Sequence, residues 1–481
     1  MSTYTFPLAA VLCCLASCPA VSAEAAEASN AKTTKYFEAT VGCIDTLILE
    51  GTDRYGAEHS PLFSSILDLK THRLPEKAPP LLRGQRNADR AFPGCNVQHD
   101  LFTLLVMHHI SKLTGEERYA QAADAYLKFF LRRPASVGNG LLPYGEHAFW
   151  DFKKETIAGL PIHEDLGFVP IEFLEKLWEI NPQALEKHIR GLERHFLEGD
   201  DWIWNRHAYI LNDQRPTKPV DFPRHGGFYI YQWAFLYTKV KDPQLLDWAQ
   251  KTARRRAGWH HSVASMGISM LRANRILGED KIPEFETIGR ECLMPLIEEP
   301  NDDFKNGIAN MYVKLEKIRL EHKQVEKDHS RTTYGFWDML YAGSGGYGFV
   351  GAERLAVMCL GIHRLIDSPI HLQVAKDICG FYLTHPRPSK DGITPGKIAG
   401  QIAMALDLYD LTREAKYLDY ARENADFAVQ EFYADGLIRA ATGAEYYEAA
   451  NGVGTLLLEL LRLHLIDLGS DHPLPRNYSE T

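Results

Sequence analysis

Apolar residues recur at helical spacing along most of the chain, in pairs of runs that are separated by short polar turns. The clearest turn is Leu113–Tyr119, and Leu411–Tyr417 repeats its frame of residues. Looser copies lie at Val240–Leu245 and Leu365–His371. An apolar stripe that recurs every three to four residues predicts a helix, and Gly, Asp or Pro between two stripes predicts a tight turn. The pattern therefore predicts a series of helical hairpins.

A hairpin of this kind cannot bury its apolar stripe alone, so successive hairpins are expected to pack side by side. The intervals between the turns are unequal and hold long aromatic and glycine-rich segments, which a regular open solenoid does not need. We therefore expect an all-α fold, an (α/α) toroid in which the hairpins close into a ring, with long connectors on one face. Strand signals are sparse, and the best of them, Gly226–Tyr231, can also begin a helix.

The composition is that of a globular protein with a large core. The chain has 481 residues, of which 45% are hydrophobic and 24% are charged. Such a chain has room for several domains, but a closed helical ring can use this length as one. We expect a flexible leader at residues 24–35, a single toroidal catalytic domain at residues 36–469, and a loosely held C-terminal tail at residues 470–481.

The first 23 residues have the character of a signal peptide. They carry no charged side chain and include the apolar run Pro7–Ala16, which is too short to span a bilayer. Small residues at Val21–Ala23 suit cleavage by a signal peptidase. Leu15–Cys18 also resembles a bacterial lipobox, so a lipid anchor at Cys18 is an alternative. We expect a secreted or periplasmic protein, with a cell-surface lipoprotein as the alternative and no transmembrane segment.

The charge balance and the cysteines exclude several classes of partner and site. The formal net charge is -10 and there is no block of Lys or Arg, so nucleic acid and anionic membrane surfaces are poor partners. An acidic glycan would need local Arg, Lys or a bound cation to offset this charge. No cysteine pair after residue 23 has the CxxC spacing of a zinc or redox site, so buried free thiols are expected at Cys43, Cys95, Cys292, Cys359 and Cys379.

One segment holds an unusual density of groups that can transfer protons, bind a cation or stack on a sugar ring. It runs from Gly138 to Asp165, and Gly138, Gly140 and Pro143 mark its beginning as a turn. The chemically capable residues within it are Tyr144, Glu146, His147, Trp150, Asp151, His163, Glu164 and Asp165. The helices on either side are expected to act as a scaffold for this segment.

The hairpin frame, the aromatic glycine-rich connectors and the closing run Tyr446–Gly452 resemble the (α/α)6 toroid of the six-hairpin glycosidase-like superfamily. The resemblance covers nearly the whole mature chain and is architectural. The superfamily includes glycoside hydrolases, polysaccharide lyases and sugar epimerases. The resemblance therefore implies a carbohydrate-active enzyme and a poly- or oligosaccharide substrate, without choosing among these reactions.

The connectors favour β-elimination at an acidic polysaccharide, since they contain more His, Tyr and Arg than isolated carboxylate pairs. This reaction needs a group that neutralises the uronate carboxylate, a base for the C5 proton and an acid for the leaving oxygen. The expected catalytic residues are Tyr144, Glu146, His147, His225 and Tyr334. Arg224 is expected to neutralise the carboxylate, and the further substrate-binding candidates are Trp150, Asp151, His163, Glu164, His207 and Trp337.

Four alternatives stay open. One is a sugar isomerase or epimerase, although those enzymes are usually cytosolic, so the export signal counts against it. A glycoside hydrolase would use two carboxyl groups, Glu146 or Asp151 with Glu164 or Asp165. A glycan-binding scaffold without catalysis would depend on Trp150 more than on any histidine. A divalent cation could be held by residues 163–165 together with Glu146 or His147, although Glu and Asp at those positions also suit the first turn of a helix.

Overall fold

A computed structural model describes residues 33–82, 85–199, 201–255, 263–293, 352–384 and 392–476. The expected signal peptide and nearly all of the leader lie outside these ranges, and so do two of the predicted site residues, Tyr334 and Trp337. Among the described residues, no helix combines the length and the apolar character that a membrane crossing requires.

Helices dominate the described part of the chain, as the hydrophobic pattern predicts. The first seven are α1 (Lys35–Leu49), α2 (Val97–Thr114), α3 (Arg118–Arg132), α4 (Ile171–Ile180), α5 (Pro182–Gly191), α6 (Pro223–Val240) and α7 (Pro243–Arg255). The next seven are α8 (Val263–Leu277), α9 (Pro283–Leu293), α10 (Ala352–Ile366), α11 (Pro369–Thr384), α12 (Pro395–Thr412), α13 (Ala415–Phe432) and α14 (Val453–Asp467).

The four predicted hairpin turns are confirmed. Each lies at the junction of two helices that pack against each other, namely α2 with α3, α6 with α7, α10 with α11, and α12 with α13. Two more hairpins, α4 with α5 and α8 with α9, complete a set of six among the described residues. Gly115 ends α2 in a left-handed conformation with φ 75°, which explains why glycine suits the turn of the Leu113–Tyr119 copy.

The two helices of a hairpin differ in how they are buried. Helices α6, α8 and α12, each the first helix of its hairpin, bury most of their length on all sides, which places them in the inner ring. The second helices carry a single buried stripe. In α7 this stripe consists of Leu245, Ala249 and Thr252, at intervals of three to four residues.

The ring closes through the two ends of the chain. The last helix, α14, packs against both α1 and α2, and the inner helices α10, α12 and α14 pack in succession. The short turns of the hairpins lie at the C-terminal ends of the inner helices, so the connectors between hairpins gather at the N-terminal ends of these helices. The prediction of a closed all-α toroid with its long connectors on one face is confirmed.

The connectors contain short strands that the hydrophobic pattern did not predict. They are β1 (Thr52–Asp53), β2 (Ser60–Phe63), β3 (Ile66–Asp68), β4 (Gly94–Cys95), β5 (Ala148–Asp151), β6 (Thr156–Gly159), β7 (Ile162–His163), β8 (Ala208–Tyr209), β9 (Tyr433–Ala434), β10 (Leu437–Ile438) and β11 (Tyr446–Glu448). Strands β4, β5 and β6 form one antiparallel sheet, and β7 pairs with β8. The predicted strand signal Gly226–Tyr231 lies within α6 instead, because it continues the helical spacing of that buried helix.

Two further expectations can be compared with the structure. The five cysteines that follow residue 23 are buried free thiols, as predicted. The described part of the tail is better anchored than the expected loose segment. Nε2 of His472 lies 2.9 Å from Nδ1 of His109 in α2. Arg476 forms an ion pair with Asp410 of α12 at 3.0 Å.

Candidate active site

Four segments, drawn from two connectors, bring their polar residues together at the face of the ring where the inner helices begin. They are the segment that enters β5, the segment that follows β7, the segment that enters β8, and the first turn of α6. Asn96 helps to fix this arrangement because it caps α2 and also donates a hydrogen bond to the carbonyl of Gly145 at 2.7 Å. The start of an inner helix is thereby tied to the predicted functional segment.

Strands β7 and β8 pair as a two-stranded ribbon, and consecutive residues of each strand lie on opposite sides of it. Ile162 lies opposite Tyr209 and His163 lies opposite Ala208. Because side chains alternate along a strand, His163 points to the buried side of the ribbon and Glu164 to the other side. There the Glu164 carboxylate meets the His207 ring, with 2.9 Å between Oε2 and Nε2.

Glu164 lies at the centre of the polar cluster. Its side chain is fully buried, yet its Oε1 accepts hydrogen bonds from Arg206 at 2.7 Å and from His225 at 3.2 Å. Burial alone would raise the pKa of this carboxyl group, but the hydrogen bonds from His207 and His225 hold the pKa well below its ordinary value. Glu164 is therefore ionised at neutral pH.

A second carboxylate, Glu146, lies beside the first. It accepts a hydrogen bond from the same Arg206 nitrogen at 3.1 Å and forms an ion pair with Arg86. Arg86 in turn donates to Asp89 at 2.9 Å. Among these five side chains, three carboxylates face two guanidinium groups, which leaves one net negative charge.

Three residues of the cluster could together hold a metal ion. One ligand atom from each of His147, Glu164 and His207 lies within 4.8 Å of the others. Burial lowers the pKa of His147, which keeps its ring neutral and able to bind a metal ion at neutral pH. The hydrogen bonds from Arg206 and His225 to Glu164 would orient that ligand from outside the metal shell. These residues fit a divalent transition-metal ion, whose preferred ligands include imidazole and carboxylate.

Asp89, Glu146 and His147 form a second group of three within the same distance of one another. Here the Arg86 guanidinium already contacts both carboxylates, so it supplies the positive charge that an ion would otherwise bring. The group formed by His147, Glu164 and His207 is therefore the better candidate for a metal ion.

The structure divides the residues of the ligand set expected around residues 163–165 between two places. Glu164 belongs to the cluster, whereas the side chains of His163 and Asp165 point into a buried network behind it. His195 donates from Nδ1 to the Asn205 carbonyl at 2.9 Å, so its Nε2 accepts a hydrogen bond from Nδ1 of His163 at 2.8 Å. This chain of hydrogen bonds supports the main chain immediately before Arg206.

Tyr144 belongs to the same buried network. It donates to Asp165 at 2.9 Å, and Gln232 donates to the other oxygen of that carboxyl group at 3.0 Å. Burial raises the pKa of Asp165 to about 7 and raises the pKa of Tyr144 far above its ordinary value. The side chain of Tyr144 is held on the buried side of the ribbon, which favours a structural role over the predicted catalytic one.

Other predicted residues lie near the cluster or in the core. His225 is fully buried, and burial lowers its pKa to about 4. Arg224 precedes it in the first turn of α6 and lies over the ring of Phe222 at 5.7 Å. Trp150 is 2% exposed and packs in the core, so its position does not support the predicted contact with sugar. Asp151 accepts from the backbone of Lys153 and Lys154, which holds the turn between β5 and β6.

Three residues of the cluster, Arg86, Asp89 and Arg206, are not among the site residues that the sequence predicts. Arg206 precedes the predicted His207, and its role depends on contacts with carboxylates 42 and 60 residues away in the chain. Arg86 and Asp89 lie at the short turn Asn87–Asp89, in a proline-rich segment with no motif. A local pattern could not have identified Arg86 or Asp89, whereas the Arg206–His207 pair in a connector was a visible signal.

Residues 84–269 match the family model described as periplasmic pectate lyase. The match covers less than half of the chain, but it contains every residue of the cluster described above. A stretch of 232 residues is 22% identical to the pectate disaccharide-lyase of Dickeya dadantii (strain 3937) and covers 47% of this chain. The chain spans only about a third of the length of that curated relative, with 36% of it covered.

Similar solved structures have low sequence identity. The crystal structure of a D-mannose isomerase is 13% identical, with a TM-score of 0.48 over 90% of this chain and 99% of that one. The structure of cellobiose 2-epimerase from Spirochaeta thermophila DSM 6192 is 11% identical, with a TM-score of 0.43 over 90% of this chain and 97% of that one.

Proposed function

We propose that this protein is a metal-dependent polysaccharide lyase that cleaves an acidic, uronate-containing polysaccharide of the pectate type by β-elimination. The observation that carries the proposal is the cluster of His147, Glu164 and His207 with Arg206 beside it. Support also comes from the family match, because residues 84–269 include this whole cluster. The hairpin ring supplies the connectors that assemble it.

The electrostatics of the cluster favour an acidic substrate only when a cation is present. The five charged side chains Arg86, Asp89, Glu146, Glu164 and Arg206 have one net negative charge, which one divalent ion would reverse. Such an ion would polarise the uronate carboxylate and lower the barrier to removal of the C5 proton. The residues expected to hold it are His147, Glu164 and His207.

We assign two roles to Arg206. It removes the C5 proton, and it stabilises the negative charge that develops on the carboxylate. Its Nη1 lies between Glu146 and Glu164, and its side chain is 13% exposed, whereas that of His225 is fully buried. A guanidinium group holds its proton tightly in water. Its use as a base therefore requires an added positive charge, which the divalent ion expected at His147, Glu164 and His207 would supply against the two carboxylates that contact the guanidinium. His225 and His147 would act by orienting Glu164 and the ion. As the C4–C5 double bond forms, the bond from C4 to the glycosidic oxygen would break, and that oxygen would take its proton from solvent water.

The arrangement favours elimination over hydrolysis. A hydrolase needs one carboxyl group free to protonate the leaving oxygen and another to act as base or nucleophile. Asp151 is used in a turn and Asp165 is hydrogen-bonded in the buried network. Glu146 and Glu164 share the same arginine nitrogen, so neither is placed as a proton donor.

We further propose that the enzyme acts outside the cytoplasm, in the periplasm or as a secreted protein. The uncharged apolar run at the start of the sequence supports export. A polymeric uronate is also a substrate that cells meet outside the cytoplasm. A lipid anchor at Cys18 is the alternative, and a mutation of Cys18 to Ser would release the protein from membranes in that case only.

The proposed reaction can be tested directly. Purified protein is incubated with polygalacturonate, and the ultraviolet absorbance of the unsaturated product is followed together with the release of reducing ends. A lyase gives both signals, a hydrolase gives reducing ends alone, and a glycan-binding scaffold gives neither. Removal of metal by EDTA should abolish the absorbance, and the return of Mn²⁺, Co²⁺ or Ca²⁺ in separate samples should identify the ion.

A further inference from the structure

The β7–β8 ribbon extends beyond the candidate metal site. His163 and Ala208 face its buried side and are 0% and 1% exposed. Glu164 and His207 therefore lie on the other side, and the next pair on that same side is Ile162 with Tyr209. The outer face of one short ribbon thus carries two metal-binding candidates at one end and an aromatic ring at the other.

Tyr209 is placed as a contact surface and not as part of the core. Tyr209 is 41% exposed. Two other large apolar residues at the same end of the ribbon, Leu160 and Leu211, are 54% and 48% exposed. Its hydroxyl forms no hydrogen bond within the described ranges. The main chain at Tyr209 is held without help from its side chain, because the carbonyl of Tyr209 accepts a hydrogen bond from the Asn139 side chain at 2.9 Å. Exposed apolar groups beside a polar cluster are typical of a ligand site.

The spacing along the ribbon fits two adjacent sugars of one chain. Positions on the same face of a strand are about 7 Å apart. This is comparable to the length of one pyranose ring, so a ring that presents its carboxylate to the metal site would place its neighbour near Tyr209. The carboxylate and hydroxyl groups of a uronate lie at the ring edge, which leaves an apolar face that can stack on tyrosine.

We infer that Tyr209 forms a stacking platform for the uronate residue next to the one bound at the metal site, and that Leu160 and Leu211 extend this surface. The inference rests on the proposed function, since it assigns a neighbouring subsite to that reaction. It predicts a role in substrate affinity and none in proton transfer or metal binding.

The test compares Tyr209→Ala and Tyr209→Phe in the metal-loaded enzyme. Tyr209→Ala should raise KM for trigalacturonate about tenfold while kcat stays within about twofold, because stacking contributes to binding of the substrate and the transition state alike. Tyr209→Phe keeps the ring and should retain the KM of the wild type. The effect should be smaller on polygalacturonate, which keeps its contacts elsewhere.

A matched control is Tyr237→Ala, which removes a partly exposed tyrosine from the opposite end of α6. It should leave KM unchanged, and thermal melting should show that all variants are folded. If the wild type is active and Tyr209→Ala has an unchanged KM for trigalacturonate, the platform is wrong and the proposed reaction is unaffected. If the wild type is inactive, the platform is tested instead by calorimetry, which measures the affinity of each variant for trigalacturonate. Weaker binding by Tyr209→Ala supports the platform, and unchanged or absent binding overturns it.

Discussion

At the scale of single residues, the cluster depends on the ionised carboxylate of Glu164. Its side chain is fully buried and is stabilised by one arginine and two histidines, a set of contacts that a neutral amide would only partly replace. We predict that Glu164→Gln lowers the affinity for the activating ion by more than about 100-fold, beyond the 10- to 100-fold range typical of outer-shell changes. Calorimetric metal titration measures this affinity.

Asp151→Asn is the matched control for this prediction. Asp151 is equally buried and lies in the same functional segment, but its Oδ1 only accepts backbone hydrogen bonds, which an asparagine oxygen can also accept. Metal affinity should therefore be unchanged in this variant. Equal metal affinity in Glu164→Gln and the wild type would exclude Glu164 as a ligand.

A second prediction at this scale concerns the buried histidines behind the cluster. Burial lowers the pKa of His195 to about 3, whereas an unfolded histidine titrates near 6.5. Between these values the unfolded chain binds a proton that the folded protein excludes, so His195 destabilises the fold as the pH falls below about 6.5. From pH 7 to pH 5 this costs about 2 kcal/mol.

Asp165 acts in the opposite direction, because its pKa is raised to about 7 and the folded protein gains a proton as the pH falls. The effect of His195 must therefore be isolated by comparison with a variant. We predict that the free energy of unfolding of His195→Gln falls less between pH 7 and pH 5 than that of the wild type, by about 2 kcal/mol. Chemical denaturation at both pH values measures this difference, and an equal fall in the two proteins would contradict the prediction.

At the scale of elements, two segments of one connector cross closely within the site, at Gly145 and Glu164. Gly145 has φ 112°, and a Cβ atom at this position would meet the backbone carbonyl of Glu164. We predict that Gly145→Ala destabilises the fold by about 3 kcal/mol or more, since it combines backbone strain with a clash that cannot relax by side-chain rotation. It should also weaken metal binding, because Glu164 must shift.

Gly115→Ala separates the effect of backbone strain from the effect of the clash. Gly115 also has a left-handed backbone, with φ 75°, but no atom lies within 4 Å of an added Cβ. Its substitution should cost only about 1 kcal/mol, from backbone strain alone. Urea denaturation gives both values, and equal losses for the two variants would show that the crossing at Glu164 is not tight.

At the scale of the whole molecule, the ring is fastened by contacts between its first and last connectors. Arg90 donates to both oxygens of Glu448, at 2.7 and 3.1 Å, and both side chains are nearly fully buried. Pairing of β3 with β11 joins the same two segments. Arg90→Ala would leave the Glu448 charge buried and unpaired, and we predict a loss of about 3–5 kcal/mol in the free energy of unfolding.

The exposed pair of Arg118 with Asp45 gives a comparison within the same protein. Arg118→Ala should cost at most about 1 kcal/mol, because water screens and solvates both charges. In the double variant Arg90→Met with Glu448→Leu, much of the lost stability should return, since no charge is then left buried. If Arg90→Ala costs no more than Arg118→Ala in chemical denaturation, the buried pair does not fasten the ring.

The sequence by itself determined the helical hairpins. The spacing of apolar residues is a local property, and it fixes which face of each helix is buried in the ring. It also indicated the segment that contains Glu146, His147 and Glu164, since polar and aromatic residues crowd between glycines there. Only the tertiary structure decided which of these residues act together. The β7–β8 pairing sends Glu164 to one side of the ribbon and His163 to the other, and it brings His207 within reach across 43 residues of chain. Such pairing between connectors depends on the closed ring that supports them, so no local pattern encodes it.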